Sequence, residues 1–233
     1  MIVLGIETAT QQVGCAFGGV EGVLASFSSA RGRRHAETLV PSIEFLAAQA
    51  ELELRQVSVI AVDIGPGLFT GLRVGIATAK ALAQALKVPV IGLSSLDLLA
   101  HQVRRTNRLI VPVIDAKRGE VFSATYRQVP GGVQRQSDFT VGSPQDLANE
   151  LMAHRQEALL LGDGAIRYAE ELHGDAGNVE LAGVANAYPS ASDLVELAHP
   201  RAIREEFVPA RDIEPLYLRK ADAEINWQRR DPS

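Results

Sequence analysis

VIAVDIGPGLFTGLRVGIATAKALAQALK, residues 59–87, decides how the rest of the chain is read. Residues 59–64 form a short apolar run rich in β-branched side chains, with Asp63 near its end, which is the pattern of a buried strand. Gly65-Pro66-Gly67 stops it, because proline cannot donate to a strand ladder and glycine admits backbone angles closed to other residues. A helix is predicted over 71–87, with Thr70 as its cap. Its polar and charged side chains, Arg73, Lys80, Gln84 and Lys87, fall on one narrow stripe, and nearly everything else is apolar or small. An ordinary surface helix buries one stripe. This one has apolar surface enough for two, which reads either as a seam for a partner or as a central helix covered by its own domain. The glycine turn matches neither the Walker spacing, for want of a following Lys, nor the dinucleotide spacing, where Thr70 stands in place of glycine. The plainer reading is a tight strand-to-helix connection; phosphate binding at the helix start is the alternative.

Working outward, the chain has 233 residues, 46% hydrophobic and 22% charged, with a formal net charge of −5. That fits a folded protein of one large or two small domains and argues against a stand-alone nucleic-acid binder. Two basic clusters, Arg31, Arg33 and Arg34 with His35, and Arg104 and Arg105 with Arg108, read first as solvated faces and second as RNA contacts. Cys15 is the only cysteine, so neither an intrachain disulfide nor a cysteine-based zinc site is expected, and a reducing, cytoplasmic setting fits best. The opening MIVLGIETAT is too short an apolar run for a signal peptide, and no run of about 18 apolar residues predicts a membrane span.

Residues 2–6 read as a strand, followed by the polar break Glu7-Thr8-Ala9-Thr10 and a hairpin of strands 13–18 and 23–27. Residues 34–50 have helical periodicity, with Pro41 predicting a kink or a late start near Val40. After the central strand and helix come a strand at 88–92 and a helix at 95–105. From 107 the pattern restarts: strand 109–114, the polar break Asp115-Ala116-Lys117-Arg118-Gly119-Glu120, then strands 121–127 and 133–141. Helices are expected from Ser143-Pro144 to about 154, over 166–172 and over 190–198, with Ser143 and Ser190 as caps. Each half therefore carries a strand, an acidic polar break and a hairpin, a distant internal echo. This places a first lobe at 1–106 and a second at 107–204, and leaves open a return of the tail, 205–233, to the first lobe.

Three segments, GPGLFTGLRVG (65–75), DAKRGEVF (115–122) and EPLYLR (214–219), with IETAT (6–10) in support, resemble the bacterial family of the tRNA threonylcarbamoyladenosine biosynthesis protein TsaB over essentially the whole chain. Glu7 stands where that family often has Asp, Leu68 replaces a small Ser in the glycine turn, and Lys117-Arg118 varies the second segment. The resemblance implies an α/β fold of two related lobes, actin-like, Hsp70-like and sugar-kinase-like (ASKHA), with mixed sheets flanked by helices. It implies a non-catalytic scaffold and dimerisation subunit paired with its paralogue TsaD, which threonylcarbamoylates adenosine 37 of tRNAs reading ANN codons. The ATPase TsaE joins the assembly, tRNA is met through the complex, and a homodimer forms when the partner is absent. ATP, magnesium and a metal would belong to the partner proteins, with none expected here. The family's association surface uses the helices matching 34–50 and 71–87, so the expected interface is Leu39, Ile43, Leu46, Gly71, Val74, Gly75, Thr78, Ala79 and Leu82.

No two of His35, His101, His154, His173 and His199 stand four apart, so no helix carries the paired imidazoles of a metal site. His35 with Glu37 and Thr38 reads as a helix start rather than a catalytic cluster. Glu7, Thr8 and Asp115, on the two polar breaks, are the weak candidates for nucleotide and magnesium, and would make the chain a phosphotransferase or ATPase of the sugar-kinase type. The plainer reading makes them, with Asp63 and Asp163, turn-stabilising groups at strand ends. Gly162-Asp163-Gly164 is read likewise as a turn before an adenine contact.

Overall fold

The computed structural model describes residues 1–30, 34–154, 156–173 and 177–219. Arg31, Arg33 and the end of the tail from 220 lie outside them. The first sheet has the order β3-β2-β1-β4-β5, built from β1 (Ile2–Glu7), β2 (Val13–Gly19), β3 (Gly22–Ser29), β4 (Val57–Gly65) and β5 (Val90–Ser94). β1 runs antiparallel to β2 and parallel to β4, as β4 does to β5. The second sheet repeats the scheme as β10-β7-β6-β11-β12, from β6 (Leu109–Lys117), β7 (Glu120–Ser123), β10 (Thr140–Gly142), β11 (Ala158–Leu161) and β12 (Val179–Leu181). Here β6 is antiparallel to β7 and parallel to β11, and the hairpin of β8 (Tyr126–Val129) and β9 (Gly132–Arg135) is set to the side. The internal echo is thus a repeated sheet topology.

Alternation along the strands sorts the core into four layers, because successive side chains point to opposite faces. Leu4, Ile6, Cys15, Phe17, Ile60 and Val62 pack with α1 (His35–Gln49) and α2 (Phe69–Leu86). Val3, Ala16, Val59, Ala61 and Ile91 face the other way, onto Leu98 of α3 (Ser95–Gln102) and onto α7 (Ala191–Ile203). Leu96, Leu99 and Ala100 of α3 meet the second sheet through Ile110, Ile114 and Tyr126. Its far side is covered by α4 (Pro144–His154), α5 (Asp163–Arg167) and α6 (Ala169–His173).

Several expectations are corrected. α2 begins at Phe69 with Leu68 as its N-cap and no side-chain cap bond, so Thr70 lies inside the first turn. α1 begins at His35 and continues through Pro41, so the expected late start near Val40 is not seen. α3 stops at Gln102, and the helix expected over 166–172 is the two short helices α5 and α6. The strand expected over 121–127 is split between β7 and β8. Ser143 and Ser190 do accept from backbone N–H groups at their helix starts. α7, placed with the second lobe by sequence order, packs on the first sheet; Leu194, Val195 and Ala198 fill its inner face. The tail lies there too, where Val208 bridges Val90 and the Leu216 N–H donates to the Ile64 carbonyl at 2.7 Å.

The glycines of α2 are required by a close approach. A Cβ on Gly71 would stand 2.1 Å from the Thr8 carbonyl oxygen, and one on Gly75 would stand 2.2 Å from Thr8 Oγ1. Gly71→Ala therefore forces backbone to move and is expected to cost about 1–3 kcal/mol of folding free energy, read as a lowered urea midpoint. An exposed α2 change such as Ala77→Ser is expected to leave the midpoint in place.

Candidate functional site

The break after β1 is packed onto the start of α2. Thr8 Oγ1 donates to the Gly71 carbonyl at 2.8 Å, and the Leu68 N–H donates to the Ala9 carbonyl at 2.6 Å. The His35 Nε2 lies 3.0 Å from the Thr10 carbonyl and fixes the same loop from α1. Thr8 is completely buried and spent on the backbone of α2. The glycine-rich turn is thus a socket for this chain's own loop, which accounts for the glycines without a phosphate.

Glu7 and Asp63, at the ends of neighbouring strands, are both fully buried. Glu7 Oε1 accepts from the Ala9 N–H at 2.8 Å, and Asp63 Oδ1 accepts from the Gly65 N–H and the Ser95 hydroxyl. The second oxygen of each, Glu7 Oε2 and Asp63 Oδ2, has no hydrogen-bond partner among the described residues. Burial, then the charge of Asp63, pushes Glu7 well above the usual carboxylate range. Burial likewise pushes Asp63 up to about 7, against the bonds from Ser95 and Gly65 that favour its anion.

Asp115 is placed alike on β6 but balanced differently. Its Oδ1 accepts from the Lys117 N–H at 2.8 Å, and its Oδ2 meets Lys117 Nζ at 2.7 Å and an Arg167 guanidinium nitrogen at 3.1 Å. Burial opposes the anion, but the Lys117 bonds and the Lys117 and Arg167 charges outweigh it and hold the carboxyl below its ordinary value. Asp163 Oδ1 accepts from the Asp115 N–H at 3.0 Å and ties the end of β11 to β6, so Gly162-Asp163-Gly164 serves as a structural turn. A carboxylate that holds hydrated magnesium must present a free anionic oxygen. Glu7 is enclosed, and both Asp115 oxygens are engaged by this chain's own donors, so these residues do not fit that group as arranged.

The three motif segments meet in space. The tail brings Tyr217 against Phe69, with ring centroids 5.3 Å apart, while the Arg73 guanidinium lies 3.7 Å from the Phe69 centroid and its Nε–H donates to the Tyr217 hydroxyl. Two residues on, Arg219 reaches Glu120 of β7 at 2.6 Å. EPLYLR thus straps the glycine turn of one lobe to the DAKRGE hairpin of the other, which no local pattern announces.

Most of the residues expected at the interface are covered by the chain itself. Leu39, Ile43, Leu46, Gly71, Gly75 and Ala79 are buried within this chain, against β1, β2 and β4, and Val74, Thr78 and Leu82 are half-buried. Helix residues advance 100° per step, so the outward face is shifted round from them. On α1 it presents Val40 and Phe45, the latter 59% exposed, with Ala48; on α2 it presents Ala77, Ala81 and Ala85. The Arg104 and Arg108 cluster is largely neutralised, by Glu196 and by Glu157 and Glu180.

One cluster escaped the sequence altogether. His101 on α3 and Asp193 and Glu196 on α7 each offer a ligand atom, all within 4.8 Å of one another. His101 Nε2 lies 3.0 Å from Glu196 Oε2, and an Arg104 nitrogen lies 3.2 Å from the same oxygen, so Arg104 already supplies a cation there.

Fold and strand-end geometry define a two-lobed protein of the actin-like, sugar-kinase-like class. The ROK hexokinase from Thermus thermophilus shares that fold at a TM-score of 0.51 and 12% identity, over 88% of this chain and all of that one. The family model of TsaD, tRNA N6-adenosine threonylcarbamoyltransferase, matches residues 3–227. The TsaB protein of Haemophilus influenzae is 31% identical over 212 residues, 84% of each chain. YeaZ from Pseudomonas aeruginosa superposes with a TM-score of 0.82 at 29% identity, over 93% of this chain and 99% of that one. The chain belongs to the TsaB (YeaZ) family of tRNA threonylcarbamoyladenosine biosynthesis proteins, within the wider TsaD family. No helix among the described residues is long and apolar enough to cross a membrane.

The buried carboxyls set a pH dependence. Asp63 and Glu7 hold protons in the folded chain that the unfolded chain, with carboxyls near 4, gives up. Stability from this source is complete below the unfolded value and is lost as pH rises toward about 7. Asp115 acts oppositely but only in acid, as pH falls through its depressed value. Urea unfolding at pH 5, 6, 7 and 8 is expected to show stability falling with pH, and Asp63→Asn is expected to flatten the slope.

Proposed function

We propose that this chain is a non-catalytic subunit in the threonylcarbamoyl modification of adenosine 37 in ANN-decoding tRNAs, and that it scaffolds TsaD through the outward face of α1 and α2. The observation that carries the reading is that face: Val40 and Phe45 stand exposed on one helix, beside a row of exposed alanines on the other. Two helices presenting small and large apolar residues side by side suit ridge-into-groove packing with a second helix pair. The absence of a catalytic role is supported by the strand-end carboxylates. Asp115 is neutralised by Lys117 and Arg167, and Glu7 is fully buried with no ion pair among the described residues. On this reading the chain needs no nucleotide or metal of its own; ATP, magnesium and a metal belong to TsaD and TsaE, and TsaE completes a ternary assembly. The same face self-pairs as a symmetric homodimer when TsaD is absent.

Reconstitution tests this. With tRNA, TsaD, TsaE and the adenylate-forming enzyme present, modification is expected only when the chain is added, and none is expected from the chain alone. Ala81→Glu and Phe45→Glu are expected to abolish association with TsaD, seen by size-exclusion chromatography with light scattering, while thermal unfolding stays within a few degrees of wild type. Association that survives both changes would place the seam elsewhere.

A further inference from the structure

Arg73 and Lys80 stand seven apart on α2, two helical turns, and share one edge, and Lys87 follows as the C-cap in the left-handed region, so the three cations are spread over about 21 Å along the helix. The helix contains no Asp or Glu. None of the three has an acidic partner among the described residues, although the chain as a whole is acidic. Several arginines elsewhere are paired: Arg55 with Glu53, Arg104 with Glu196, Arg108 with Glu157, Arg204 with Glu206. The tail segment packed on α2 adds little countercharge, since Asp212 is taken by Arg211 and only Glu214 remains. Lys80 Nζ donates to the Arg211 carbonyl, a bond that leaves its charge uncancelled.

At the N-terminal end of this line stands an aromatic platform. Tyr217, 44% exposed, is stacked on Phe69 and held at its hydroxyl by Arg73 Nε. Arg73 lies over the Phe69 ring with one of its five N–H groups used; the other four have no partner among the described residues. Cations in a line match a phosphate backbone, and a preordered ring beside them offers a stacking surface to an unpaired base. The row of exposed alanines borders the stripe on α2, so a strand lying here would follow the edge of the proposed partner seam. We infer that the α2 cation stripe and Tyr217 form a contact surface for single-stranded RNA, the unpaired loop of the tRNA substrate. This inference rests on the reading of the chain as a subunit of a tRNA-modifying assembly. An acidic protein segment would use the lysines but not the ring, which is why RNA is preferred.

The test is fluorescence anisotropy with a labelled anticodon stem–loop RNA, on the chain assembled with TsaD, across a salt series. Lys80→Glu with Lys87→Glu is expected to weaken binding at least tenfold and to lower the salt slope by about 1 to 2. Tyr217→Ala is expected to weaken binding about tenfold with the salt slope unchanged, and Tyr217→Phe to bind as wild type. RNA affinity equal to wild type in both the double-Glu and the Ala variants overturns the inference. So does loss of TsaD association with RNA affinity intact, which would assign the stripe to an acidic protein surface. The two levels separate in the modification assay. A chain that proves dispensable sinks the subunit reading, whereas a required chain whose variants bind RNA normally sinks only the RNA surface.

Discussion

The close approach between the loop after β1 and the first turns of α2 is the constraint on which the other features depend. Thr8 lies so near Gly71 and Gly75 that neither admits a Cβ, and its hydroxyl is spent on a helix carbonyl. This contact fixes α2 on the first sheet, and with it the direction of the outward faces of both α2 and α1. It also fills the space at the helix start with this chain's own loop.

The two lobes share a topology but have opposite electrostatics at equivalent strand ends. In the first, Glu7 and Asp63 are enclosed with no ion pair among the described residues, and burial drives both toward the protonated state. In the second, Asp115 has two cations and stays ionised. Neither arrangement leaves a free anionic oxygen facing solvent. The strap formed by Leu216, Tyr217 and Arg219 then joins the lobes across these ends, from Ile64 to Glu120. The fold keeps the outline of the actin-like, sugar-kinase-like class, while these polar groups bond within the chain.

Much of this was legible from local pattern. The strand–turn–helix of 59–87, the repeated acidic break and the serine caps at 143 and 190 follow from periodicity and turn chemistry, and all have counterparts in the structure. Several residues expected at the interface are core, for a simple reason. Periodicity shows that α2 has too many apolar positions for one narrow stripe, but it does not say which of them the chain itself covers. Leu39, Ile43 and Ala79 proved to be core, and the exposed row is Ala77, Ala81 and Ala85, short side chains that carry almost no hydrophobic signal. Arg167 on Asp115 and His101 beside Glu196 are separated by 52 and 95 residues, beyond any local rule.

By itself the sequence determined most of the elements and their repeat, because strand alternation, helical spacing and glycine at tight turns are local properties of the chain, and the family and its two-lobed class came from the resemblance carried by 65–75, 115–122 and 214–219. Tertiary structure alone decided that α7 and residues 208–216 return to the first sheet, that the glycine turn holds a loop, and which helix faces stay exposed. Those outcomes depend on which surfaces compete for the same neighbour, and that competition is settled by packing between residues far apart in the chain.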